Sequence, residues 1–413
     1  MALPLPKKTR QKLIDATAET ICASRIVGRS RIIPPADMNP IQEAIHKGSE
    51  LDQFLCSFLG EGHVSTFIRS ELRSLRIGIN DSKLRHEYFC DVFSRSQADA
   101  ISAQLISSFE SLPWTYNFTI ELPGFGASAL AYADGNLDLS ASTRLVSGNR
   151  LDEADRRNQH PQSPSDIDFV ANWIPAATYA QITLDGYVSA DLQSETMLTA
   201  QERIFSLLGL FIAFTILETE HLWINGNTGR HPITVALQRP DGAIHLADFE
   251  LDATYQTLAN DLGYTTNFLL ALESDEEIRS IFEKIKNALT NAPDHRLESA
   301  ARWFFDSHAG SNSQVKFVQV MIAFEILLGD EKMAKETGLS TLMANRCAYM
   351  IGATAAQRTN IIEAFKEGYS IRSRIVHAGV SRLTDTEKGN FSYMQKLCCL
   401  VIQHEVNALR VGG

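Results

Sequence analysis

Tyr369-Ser-Ile-Arg-Ser-Arg-Ile-Val-His-Ala-Gly379 closes a long run of helical spacing. Gly379 supplies the stop, since glycine readily takes the left-handed backbone conformation that ends many helices. Working back from this point, helical segments are predicted over roughly 355 to 377, 339 to 351, 312 to 328 and 294 to 307. A fifth begins near Asp385 and continues almost to the end of the chain. Asn291-Ala-Pro-Asp294 opens the series, and Gly310, Gly329, Gly338 and Gly352 punctuate its short connections. Short connections make consecutive helices antiparallel neighbours, so this part reads as an all-α helical bundle.

Ahead of residue 290 the pattern is different. Residues from Lys7 to about Arg25 suit a helix; Pro34, Pro35 and Pro40 interrupt the backbone, and helical spacing resumes at Ile41 and continues to about Ser111. Tyr116-Asn-Phe-Thr-Ile-Glu-Leu122 and Asn136-Leu-Asp-Leu-Ser140 then alternate large and polar side chains, as half-buried strands do. Further strands are predicted at Tyr179 to Ser189, His231 to Leu237 and Ala243 to Phe249, with an apolar helix at Ile204 to Leu217 among them. Gly148 to Asp166, polar and containing Pro161 and Pro164, is expected to be an exposed loop. The predicted fold is an α+β N-terminal region over residues 1–290, divisible into a helical 1–111 and a strand-containing 112–290, followed by the bundle at 291–413.

Charge separates the same two parts. The whole chain carries 38 Lys and Arg against 49 Asp and Glu, a net of −11, which argues against coating nucleic acid or anionic membrane by bulk charge. From Asn291 onward there are 14 basic and 12 acidic residues, a net of +2, leaving 24 against 37, or −13, for everything before. Phosphate binding needs local positive potential, so a nucleic-acid site belongs more easily on the second part.

Cys22, Cys56, Cys90, Cys347, Cys398 and Cys399 show no two-residue spacing and no neighbouring histidine cluster, so neither a structural zinc site nor any other metal or cofactor is expected. Met1-Ala-Leu-Pro-Leu-Pro-Lys-Lys-Thr-Arg10 lacks the apolar core of a secretory signal, which points to a reducing cytoplasm. The apolar run at 204–217 is too short for a membrane span, which needs about 20 residues. No membrane partner is expected.

Tyr369, Arg372, Ser373, Arg374 and His377 gather a titratable group, two fixed cations and two hydroxyls at one helix end. Histidine titrates near neutral pH and can move protons, while arginine holds a phosphate through paired hydrogen bonds. RNA cleavage without metal requires that combination: a base or acid for the 2′-hydroxyl or leaving oxygen, and a cation for the charge on phosphorus. At about 100° per residue, Arg374 lies roughly 60° from His377 and Arg372 roughly 140° away, so both arginines are candidates. Upstream, Glu325 sits within the apolar Val315–Leu328 run and needs a partner, for which Arg346 is the candidate. That pair reads either as a lock between helices or as part of a site.

The string Tyr369-x-x-Arg372-Ser-x-Ile-Val-His377 resembles the Apea-like branch of the HEPN superfamily, and Arg372 with His377 fits the arginine, short spacer, histidine motif of HEPN domains. Ala301-Arg-Trp-Phe-Phe305, Phe324-Glu-Ile-Leu-Leu328 and Asn345-Arg-Cys-Ala348 are similar to that branch in order and spacing, and the likeness extends from Leu297 to Leu409. The resemblance implies a helical bundle that pairs with a second copy, joining two Arg/His motifs into one cleft that cuts single-stranded or looped RNA. It implies Arg372 and His377 as catalytic residues, with Arg374, Ser373, Tyr369, Glu325 and Arg346 supporting them. It further implies a dormant role in prokaryotic antiviral defence, with the N-terminal region answering an unidentified trigger or ligand. The alternative is an RNA- or nucleotide-binding signalling protein that uses the same bundle without cutting. One departure is Ala378, since many relatives carry glycine directly after the histidine.

Other signals point to structure. Gly124-Phe-Gly126 lacks the third glycine and helix of a phosphate loop and reads as a turn. Arg85-His-Glu87 and Glu220-His221 read as isolated polar contacts, and His231 and His245 flank the Arg239-Pro-Asp-Gly242 hairpin without further visible ligands.

Overall fold

A computed structural model describes residues 3, 5–27, 31–75, 87–152, 173–189, 192, 194–219, 230–239, 242–292, 294–330, 332–333, 338–379 and 382–409. The chain divides into two compact units, one formed by Met1–Tyr116, Leu184–Ala200 and Leu237–Pro240, the other by Asn117–Thr183, Gln201–Ala236 and Asp241–Gly413. The predicted boundary near 290 therefore falls inside the second unit.

In the first unit, helices α1 (Lys7–Cys22), α2 (Asn39–Gln42), α3 (Glu50–Leu59), α4 (His63–Ser74), α5 (Phe89–Val92) and α6 (Arg95–Glu110) enclose an apolar core that includes Leu13, Ile21, Phe67, Phe109 and Tyr187. Phe67 and Phe109 meet edge to face with ring centres 5.3 Å apart, a favoured aromatic arrangement. Ser94 caps α6 in a reciprocal box with Gln97, which satisfies two amides that the first turn leaves free. Helix α1 stops at Cys22, short of the expected Arg25, and the chain then forms a hairpin of β1 (Arg25–Val27) and β2 (Arg31–Ile33). From α2 onward the described residues return to helices that end at Glu110, close to the expected Ser111. Cys22 is joined by a disulfide to Cys90. The spacing of the cysteines does not announce this pairing, and a reducing cytoplasm would oppose it.

Most of an antiparallel sheet belongs to the second unit. The sheet's strands are β3 (Trp114–Gly126), β4 (Asn136–Asp138), β5 (Thr143–Ser147), β6 (Ala177–Gly186), β8 (Ile233–Arg239) and β9 (Gly242–Phe249), in the order β4-β5-β6-β3-β8-β9. A short pair joins β7 (Leu217–Glu218) to β10 (Gly263–Tyr264). Strand β5 is missing from the sequence reading because four of its five residues are buried, which erases the alternation that marks a strand. Residues 148–152 are helical, where a loop was expected; the rest of that predicted loop lies outside the described residues.

The apolar run forms helix α7 (Glu195–Ala213), buried throughout 204–213. Gly209 lets it approach the next layer closely: a Cβ there would stand 2.0 Å from the carbonyl oxygen of Ala301. Among the described residues no helix is long and apolar enough to cross a membrane.

Helices α8 (Ala253–Asp261), α9 (Thr266–Ala271) and α10 (Asp275–Asn291) lead into the C-terminal set: α11 (Arg296–Asp306), α12 (Ser313–Leu328), α13 (Leu339–Ile351), α14 (Ala355–Ala378) and α15 (Asp385–Ala408). Each of α11 to α15 lies within a few residues of its predicted bounds, whereas α8, α9 and α10 are not among the predicted helices. Helix α15 is the common partner, packing against α10 through α14. The chain is thus of mixed class, with an antiparallel sheet in its N-terminal half and a helical C-terminal region.

Candidate functional site

Helix α14 carries most of the candidate residues. Thr354 and Gln357 form a capping box at its start, and Gly379 ends it in the left-handed conformation with φ +62°, so both ends are set by local chemistry. Its buried stripe, Ile361, Phe365, Gly368 and Ile371, turns toward the bundle core. Arg372 follows that stripe directly and is held half-buried.

The Arg372 guanidinium lies 3.4 Å from a carboxylate oxygen of Glu325 on α12 and 6.0 Å from the centre of the Tyr369 ring. The second contact is of cation–π type. Glu325 Oε1 and Arg372 Nε are both shielded from solvent, and neither makes a hydrogen bond among the described residues. The pair is therefore an ion pair whose hydrogen-bonding capacity is not filled. Such a pair can turn toward a phosphate without first breaking an optimal bond.

Arg346 does not serve Glu325, contrary to the sequence expectation. It donates to the carbonyl oxygen of Leu328 at 2.9 Å and reaches Asp330 at 3.5 Å, tying α13 to the end of α12. Helical periodicity cannot reveal this, because the partner lies past the helix end. Arg374 is also engaged: it pairs with Glu387, the residue that caps α15 together with Thr384. The Thr384 amide, the Arg374 guanidinium and the Thr384 hydroxyl hold the Glu387 carboxyl below its ordinary range. The Thr384-Asp-Thr-Glu387 spacing could have disclosed the cap in the sequence, though not its link to Arg374.

Ser373 is half-buried. His377 stands exposed in the last turn of α14, where the basic group faces the negative end of the helix. No hydrogen bond or ion pair engages its ring among the described residues. The structure thus brings Arg372, Glu325 and Tyr369 together, and leaves Arg346, Arg374 and His377 outside that contact.

A second cluster, in the first unit, escaped the sequence reading. Asp52, Cys56 and His63 place one ligand-type atom each within 4.8 Å of one another. Asp52 and Cys56 share a face of α3 at i, i+4, which is the only sequence signal. His63 is fully buried; its Nδ1 accepts from the Val64 amide at 2.9 Å and its Nε2 lies 2.7 Å from Asp52 Oδ1. With Nδ1 accepting, Nε2 carries the proton and donates to Asp52. A metal on Nε2 would force that proton onto Nδ1, against the Val64 N–H. The arrangement is a hydrogen-bonded Asp–His dyad, and the His63 bond, followed by one from the Gly48 amide, keeps the Asp52 carboxyl low.

His231 is buried with Nε2 3.2 Å from Asn260 Oδ1. Arg85, His86, Glu220 and His221 lie outside the described residues, as does the side chain of His245. No family model, curated protein or solved structure matches the chain. The likeness to the Apea-like HEPN branch rests on the four sequence blocks alone.

Proposed function

We propose that the protein is a metal-independent RNA endonuclease whose C-terminal bundle pairs with a second copy and cuts with Arg372 and His377. The observation that carries this reading is the state of the two side chains. Arg372 is pre-oriented by Glu325 and Tyr369 with donors to spare, and His377 is an exposed imidazole with no described partner, at the end of the same helix.

In the reaction, His377 of one copy takes the proton of a 2′-hydroxyl. The 2′-oxygen attacks the adjacent phosphorus and the 5′-oxygen leaves with a proton supplied by the opposed histidine or by water. The products are a 2′,3′-cyclic phosphate and a 5′-hydroxyl. Arg372 carries the negative charge that builds on the non-bridging oxygens, as a planar five-donor cation does well. Glu325 and Tyr369 position Arg372, Arg374 steadies the junction of α14 and α15 through Glu387, and Arg346 steadies that of α12 and α13. The N-terminal region restrains the nuclease until a trigger arrives, the arrangement suited to antiviral defence.

Purified protein incubated with RNA in EDTA should yield cyclic-phosphate ends, and His377→Ala should abolish them. Equal cleavage by both proteins removes the assignment. A second reading, RNA or nucleotide binding without cleavage, is favoured by the roughly 140° between Arg372 and His377 on an ideal helix. It predicts binding that Arg372→Ala weakens and no cyclic-phosphate product under any condition.

A further inference from the structure

A cavity of about 350 Å³ in the second unit is lined by the turn between β4 and β5, by α7, and by the end of α10 and start of α11. Its size is at the lower end of small-molecule sites. Arg203, on α7, is the one arginine in its wall.

Arg203 is half-buried, and its side chain makes one described hydrogen bond, from Nη1 to the Ser142 hydroxyl at 3.2 Å. Among the described residues no carboxylate lies in ion-pair distance of it. Burying a guanidinium without a counter-charge is costly, and a single neutral hydroxyl uses one of its five donors. The remaining wall offers more hydroxyls, those of Ser140 and Thr143, with His295 beside them, while the Thr290 hydroxyl donates to the Lys286 carbonyl oxygen at 2.7 Å. One fixed cation among several hydroxyls suits an oxyanion with several acceptor oxygens. Glu298 also lines the cavity, with its carboxylate 3.9 Å from the His295 ring. A carboxylate there disfavours a highly charged ligand and accepts a hydrogen bond from a ligand hydroxyl.

We infer that this cavity binds a phosphate monoester of mononucleotide or sugar-phosphate size, with the phosphate on Arg203 and the Ser142 turn and a hydroxyl-bearing body toward Glu298. The ligand would touch the sheet, the buried helix α7 and the first helix of the C-terminal set, which makes the cavity a candidate for the trigger site. The binding claim stands apart from the nuclease reading, because it is read without RNA.

The test is isothermal titration of the full chain with inorganic phosphate, adenosine 5′-monophosphate, guanosine 5′-monophosphate and ribose 5-phosphate, with adenosine and acetate as controls. At least one phosphate ester is expected to bind with one site per chain, more tightly than inorganic phosphate, and adenosine and acetate are not. Arg203→Gln should weaken binding about tenfold or more, the loss of a charge-assisted bond. Should Arg203→Gln fail to fold, Ser142→Ala and the exposed, cavity-filling Thr290→Trp take its place, each lowering affinity. No binding by any phosphate probe at millimolar concentration overturns the inference. Binding that survives the cavity variants unchanged, or acetate binding as tightly as the esters, overturns it equally.

Discussion

The guanidinium of Arg372 stands 3.4 Å from the carboxylate of Glu325, on a different helix, and among the described residues neither Glu325 Oε1 nor Arg372 Nε makes a hydrogen bond. The residue that sequence spacing offered as the partner of Glu325, Arg346, is spent on Leu328 and Asp330. This exchange of partners gives the candidate site its electrostatic character: the arginine assigned to phosphate already rests against a counter-charge that it can leave.

If His377 moves the proton, removing it should cost activity and little else. His377→Ala is expected to lower the cleavage rate about a hundred- to ten-thousand-fold, the range for loss of a general acid or base. Its exposure and lack of described partners leave the melting temperature almost unchanged. Rate assays and calorimetry on the same preparation check both halves.

Glu325→Gln frees Arg372 from its counter-charge. RNA binding should tighten, and the plot of log affinity against log salt should steepen by about 0.7, the contribution of one further cation on a single strand. Cleavage should slow, because the guanidinium is no longer aimed. A variant with both affinity and rate unaltered would show that Glu325 does not position Arg372.

Arg374 and Glu387 are expected to serve stability and not chemistry. Glu387 is held below its ordinary range by the Thr384 amide first and by Arg374 next. A lowered acid stabilises the fold above its unfolded value and loses that contribution as pH falls through the folded value. Wild type should therefore melt above Glu387→Gln at pH 7, and the gap should close in acid below the usual carboxylate range. Arg374→Met should lower the melting point while keeping most cleavage activity, and loss of cleavage in a folded Arg374→Met would move Arg374 into the site.

The opposite sign is expected in the first unit. Burial raises the Glu71 carboxyl, which accepts a hydrogen bond of 2.7 Å from the Tyr187 hydroxyl. A raised acid contributes its stability below the unfolded value and loses it as pH rises through the folded value. Glu71→Gln keeps an acceptor for Tyr187 without the charge. It should melt higher than wild type at pH 7, by roughly 2–4 °C per kcal/mol, and the gain should vanish near pH 4. Tyr187→Phe should destabilise by about 1–3 kcal/mol, since it strands a buried acceptor.

Much of the fold could be read in advance. Amphipathic spacing and Gly379 as a stop are local signals, and the helices they mark appear close to their expected bounds. Strand β5 could not be found this way, because a strand buried on both faces has no alternation. Residues 148–152 fold as helix despite the polar stretch that follows them.

By itself, then, the sequence determined the C-terminal helices, five of the six strands of the large sheet, the acidic-to-basic change near residue 290 and the cluster of Tyr369, Arg372, Arg374 and His377 on one helix end. These are short-range properties, written in neighbours three or four positions apart. Only the tertiary structure decided that Glu325 faces Arg372, that Arg374 faces Glu387, and that Arg203 meets Ser142 across a cavity. A guanidinium on a long side chain can reach several carboxylates or none, and which one it meets depends on how helices distant in sequence pack.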